Sequence, residues 1–106
     1  MCLCPSLLYL TLLRGIPTDF IKIDVEGAEY LVLGGCREYL AQDKPIVMSD
    51  IHCRQLERVS GVSSAEYIKL MNESGYTCYE IGMNGKLGRK LIGNESFNLI
   101  DVAFMP

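Results

Sequence analysis

The sequence predicts an α/β fold: parallel strands followed by a terminal antiparallel hairpin. Three observations carry this expectation. Strand-like and helix-like periodicities alternate from residue 20 to about residue 74. The second strand candidate is nearly all apolar before Ser49, which suggests a parallel sheet buried on both faces. The last two strand candidates follow one another without a helical pattern between them.

Residues 1–17 read apart from the rest. MCLCPSLLYLTLL holds an apolar run from Leu7 to Leu13, with no basic residue before it and no clear small-x-small cleavage site after it. A turn containing Pro17 ends this atypical segment, and a single domain is expected over residues 18–106. Phe20–Val25 (FIKIDV) is the first strand, with Ile21, Ile23 and Val25 on one side and Phe20, Lys22 and Asp24 on the other. Glu26-Gly27 breaks it. One helix is expected to run from there to about Ala41, with Glu26 and Glu29 in its first turn, where the helix dipole favours negative charge. Gly34 and Gly35 inside that helix cost about 1 kcal/mol each against alanine, and close packing on a sheet is the expected offset.

Asp43-Lys44-Pro45 is a turn, and Ile46–Ile51 is the second strand. Arg54–Val62 is polar and reads as a loop with room for one helical turn. Ser63-Ser64-Ala65-Glu66 is a capping box that opens a helix to about Ser74, stopped by Gly75. Tyr76–Ile81 is the third strand, Asn84-Gly85 a turn, and Phe97–Phe104 the fourth strand, with Ile100, Val102 and Phe104 on one side. The third and fourth strands are expected to pair as a hairpin with a long connection.

Length and charge exclude several functions. At 106 residues the chain holds one small domain. A net charge of −3 argues against a nucleic-acid binder that works through phosphate contacts. No run of 18 apolar residues occurs, so no spanning helix and no membrane partner is expected. The five cysteines are odd in number and form no C-x-x-C, which fits reduced thiols in a cytoplasmic setting; Cys2-x-Cys4 lacks two further ligands for a zinc site.

Ligands of open α/β sheets bind beyond the carboxyl ends of the strands. Asp24 and Glu26 lie at that end of the first strand, and Asp50 and His52 at that end of the second. Three carboxylates and the sole histidine are thus expected to share one mouth. Asp24, Glu26 and Asp50 are a candidate set for a divalent cation such as Mg²⁺. Alternatively, His52 or Asp24 acts as general base toward a hydroxyl, with Asp50 as its partner. The competing structural reading is that Asp24 and Glu26 merely end a strand and charge a helix start, and that Asp50 and His52 form a satisfied pair. Lys22, in a strand buried on both faces, would need Asp24 or Asp50 as an ion partner. No G-x-G-x-x-G or G-x-x-x-x-G-K-[ST] motif occurs.

The segment DFIKIDVEGAE, Asp19 to Glu29, resembles the core motif of the FkbM-type methyltransferase family. Leu33-Gly34-Gly35-Cys36, the Pro45-led strand ending in Asp50-Ile51-His52, Gly75-Tyr76 and Asn98-Leu99-Ile100 continue the likeness in order. The resemblance implies a Rossmann-like, S-adenosylmethionine-dependent methyltransferase, mostly acting on oxygen, with sheet order 3-2-1-4-5-7-6 and an antiparallel last strand. Residues 18–106 would be the carboxyl-terminal half of such a domain, without its glycine-rich cofactor turn. It further implies Asp24, His52 and Asp50 as catalytic residues, Asp24 and Val25 as cofactor contacts, and a small-molecule hydroxyl acceptor. Asp50 stands where the family usually carries Glu. Cofactor binding by the chain alone is expected to be weak or absent, with a homo-oligomer or a missing amino-terminal half completing the site. The alternative is a non-catalytic α/β module that pairs through an exposed sheet edge.

Overall fold

The computed structural model describes residues 20–82 and 84–106, so the expectations for residues 1–17 lie outside the described residues. The elements are β1 (Phe20–Ile23), α1 (Glu29–Gly34), α2 (Arg37–Asp43), β2 (Ile46–His52), α3 (Cys53–Ser60), α4 (Ser64–Glu73), β3 (Thr77–Ile81), β4 (Leu87–Leu91) and β5 (Leu99–Met105). Five strands form one mixed sheet in the order β1-β2-β5-β3-β4. As expected, β1 and β2 are adjacent and parallel, with Phe20 opposite Ile46 and Ile23 opposite Ser49. β5 lies antiparallel between β2 and β3.

One face of the sheet carries the core. Ile21, Ile23, Val47, Ile51, Val102 and Phe104 are buried there with Val32, Leu33, Leu40, Leu56, Tyr67, Ile68 and Met71 from the helices. The Tyr67 and Phe104 rings meet edge to face at 5.3 Å between centroids, a geometry that adds to their area burial. The Tyr67 hydroxyl is satisfied by the Ser49 hydroxyl at 2.8 Å, and Ser49 donates to the Asp50 carbonyl. The opposite face is less covered: Phe20 is half exposed, Lys22 is exposed, and Met48 and Asp50 are half-buried. The expectation of a sheet buried on both faces is therefore not met among the described residues. Its apolar second strand reads out a two-residue alternation of buried and half-buried positions instead.

Four further expectations are corrected. The single helix to Ala41 is two helices, because the chain turns at Gly35-Cys36, where the Cys36 N–H returns to the Leu33 carbonyl, three residues back instead of four. The polar stretch after His52 is a helix, α3, closed by Gly61 at φ 71°. The connection before β5 holds a strand of its own: β4 forms the hairpin with β3 across the Asn84-Gly85 turn, while β5 pairs with β3 from the other side. Lys22 makes no ion pair within 4.0 Å among the described residues, since the open face leaves its ammonium in water. The capping box is present as read: Ser63 accepts from the Glu66 N–H, and Glu66 accepts from the Ser63 N–H.

Candidate active site

Two chain segments leave the carboxyl ends of the parallel strands and build one cavity. The register that sets Ile23 opposite Ser49 brings Asp24 alongside Asp50, one residue further on. Asp24, Glu26, Asp50 and His52 all line a cavity of ≈ 320 Å³, together with Gly27, Glu29, Gln55 and Leu99. That volume lies at the lower end of small-molecule pockets. The four residues expected to share a mouth do share it.

The first wall is the turn from Asp24 to Ala28. Glu26 has φ 47° and Gly27 φ 99°, so two consecutive residues stand in the left-handed half of backbone space. For Glu26 this costs about 1–2 kcal/mol, which the surroundings must offset. Glu29 supplies part of the offset. Its carboxylate, 4% exposed, turns back from α1 and accepts the Val25 N–H at 3.1 Å and the Gly27 N–H at 2.9 Å. The Ala28 N–H closes the turn on the Val25 carbonyl at 3.2 Å. The Ser60 hydroxyl of α3 donates to the Gly27 carbonyl. A Cβ at Gly27 would lie 2.3 Å from the Gln55 carbonyl oxygen, so only glycine permits this approach of the turn to α3.

The second wall is the junction of β2 and α3. His52 is the N-cap of α3, and its Nδ1 accepts the Gln55 N–H at 3.3 Å. With Nδ1 accepting, the proton of the neutral imidazole sits on Nε2, which makes the ring a donor. Asp50 stands directly opposite Asp101 across the β2–β5 ladder. Burial, and then the charges of Asp24 and Asp101, push the Asp50 carboxyl above the usual carboxylate range.

Val25 is not part of the lining. Its N–H is taken by Glu29 and its carbonyl by Ala28, and its side chain packs on the core. The candidate metal set Asp24, Glu26 and Asp50 shares the cavity without closing on one point. Among the described residues no three His, Cys, Asp or Glu side chains come together as an ion site. The sequence does not reveal Gln55, Glu29 or Asp101 as parts of the site. Glu29 reads from sequence as a helix-dipole charge and not as part of the turn. Asp101 follows from the alternation of Ile100 and Val102, which puts residue 101 on the opposite side of β5, but the register that seats it against Asp50 has no sequence signal.

A family model, the methyltransferase FkbM domain, matches residues 11–78. The match contains both walls of the cavity and extends from the amino-terminal segment to the start of β3. No significant match was found among curated proteins or among solved structures. With more than half of its length matched, and with the motif residues Asp24 to Glu29 building the cavity wall, the chain belongs to the FkbM methyltransferase family.

Proposed function

We propose that the cavity is the place where S-adenosylmethionine meets a hydroxyl acceptor, making the chain part of an O-methyltransferase. One observation carries this reading: the cavity is lined by the carboxylates of Asp24, Glu26 and Asp50, yet the sole ion pair among the described residues is the remote Arg89–Glu80 contact at 3.9 Å. A negative cavity lined by no lysine or arginine among the described residues suits a ligand that brings positive charge, as a sulfonium with an ammonium does. When bound, that cofactor supplies an electrophilic methyl group. Asp24 would hold its cationic end. Val25, its backbone already engaged, contributes through the turn alone.

Methyl transfer to a hydroxyl requires the O–H proton to leave. Asp50 would accept it: the residue lines the cavity, and its raised proton affinity brings it closer to a working base than an ordinary surface carboxylate. His52, with Nδ1 held by the α3 cap, would donate from Nε2 and orient the acceptor oxygen. This changes the division of labour expected from sequence, where His52 or Asp24 was the base and Asp50 its partner.

The sheet order supports the finer fold reading. β1, β2, β5 and β3 run as the fourth, fifth, seventh and sixth strands of the order 3-2-1-4-5-7-6, with β5 antiparallel as that order requires. β1 would then be the edge at which an upstream half joins. Calorimetry with S-adenosylmethionine and S-adenosylhomocysteine tests the proposal. Charge-led recognition predicts weaker binding of the homocysteine product, which lacks the sulfonium. Equal affinity, or Asp24→Asn leaving both affinities unchanged, would contradict it. A chain that ignores both ligands yet self-associates in sedimentation would favour the edge-pairing module instead.

A further inference from the structure

Glu29 also lines the cavity, and both of its carboxylate oxygens are engaged by the protein's own backbone. It is 4% exposed, and no lysine, arginine or histidine lies within 4.0 Å of it among the described residues. A buried carboxylate held by two backbone N–H groups, at the one turn among the described residues with two consecutive left-handed residues, calls for a reason.

We propose that Glu29 is a positioning residue, whose two oxygens hold the Asp24–Gly27 turn in its ligand-ready shape before any ligand arrives. The Val25 and Gly27 N–H groups both point inward, and each needs an acceptor. A carboxylate offers two oxygens in one plane; an amide offers one oxygen and an NH₂ that would oppose the second N–H. Glutamate is therefore required where glutamine would leave one donor unpaired. The effect reaches the other wall, since Gly27 abuts the Gln55 carbonyl and Gln55 donates its own N–H to His52. Glu29 thus acts through the turn on Asp24 and Glu26, and through Gly27 on the α3 cap that orients His52. Its consequence for catalysis rests on the methyl-transfer reading of the cavity; the hold on the turn does not.

Amide hydrogen exchange on the full chain reads that hold directly. Glu29→Gln is expected to speed exchange about tenfold or more at one of the two amides, Val25 or Gly27, and to leave the other close to its original rate. Glu29→Asp, one methylene short, is expected to release both while keeping the charge. Leu40→Val, a core change on α2, serves as the control for general loosening and should leave the ratio of these amides to the β2 amides unchanged. Exchange at Val25 and Gly27 that moves only in step with the β2 amides in both Glu29 variants would overturn the proposal. So would Val25 and Gly27 amides in the original chain that exchange as fast as free loop. If the amides respond as expected but Asp24→Asn leaves cofactor affinity unchanged, the positioning role stands and the methyl-transfer reading fails.

Discussion

Replacing Gly27 with alanine tests how closely the two walls of the cavity are pressed together. Two costs add. The first is backbone strain: at φ 99° an L-residue pays about 1–2 kcal/mol or more. The second is overlap: the new Cβ would sit 2.3 Å from the Gln55 carbonyl oxygen and 2.6 Å from its carbonyl carbon, well short of the roughly 3.5 Å of comfortable contact. Backbone cannot rotate aside as a side-chain tip can, so α3 or the turn must shift, at about 1–3 kcal/mol. The sum is about 3 kcal/mol. Gly61→Ala is the matched comparison, because Gly61 has φ 71° and nothing within 4 Å of the position its Cβ would take. Strain alone then predicts about 1 kcal/mol. For a domain of this size the difference of about 2 kcal/mol separates the two melting temperatures by roughly 10 °C. Thermal and urea unfolding followed by circular dichroism measure it. Equal losses in the two variants would show that the approach of Gly27 to Gln55 is not tight, and the coupling of the two walls would fall with it.

Three further outcomes are expected. Folding raises the proton affinity of Asp50, so the folded chain binds more protons than the unfolded one just above the ordinary carboxylate range, and stability falls as pH rises through the raised value; Asp50→Asn should flatten that fall and leave the chain more stable at pH 7, as read from urea midpoints across pH 3–7. Ser63→Ala removes the acceptor for the Glu66 N–H and should cost about 1 kcal/mol in the same assay, with α4 fraying first by hydrogen exchange. Tyr67→Phe removes a buried hydroxyl whose partner Ser49 keeps its bond to the Asp50 carbonyl, so a loss of about 1 kcal/mol is expected, and a loss near zero would show the pair to be energetically idle.

Much of the architecture was legible because it rests on strong local signals. Ile21 and Ile23 alternate with Phe20 and Lys22, the capping box of Ser63 and Glu66 marks the start of α4, and Asn84-Gly85 marks a turn. The meeting of Asp24, Glu26, Asp50 and His52 followed from parallel strands sharing an end. The misses have physical causes. α3 buries only Leu56, so it lacks the repeated apolar face that reveals a helix, and its cap is a histidine. β4 is exposed along Leu87–Lys90 and contains Gly88, which carries neither strand propensity nor alternation; its lysine and arginine suit a sheet edge that must not recruit partners. Lys22 needs an ion partner only if both faces of the sheet are covered, and its side of β1 is exposed. Glu29 reads from sequence only as a helix-start charge, since spacing cannot show a side chain turning back on its own turn.

The central claim is that the cavity between the Asp24–Gly27 turn and the β2–α3 junction receives the methyl donor. Titrating S-adenosylmethionine into isotope-labelled chain, with backbone amides followed by nuclear magnetic resonance, tests it most directly and detects even weak binding. The account predicts concentration-dependent shifts at the amides of residues 24–27 and 50–55, little change in the β3–β4 hairpin, and loss of the response in Asp24→Asn. Amides of residues 24–27 and 50–55 that stay unmoved at millimolar cofactor, or shifts confined to other parts of the chain, would contradict it.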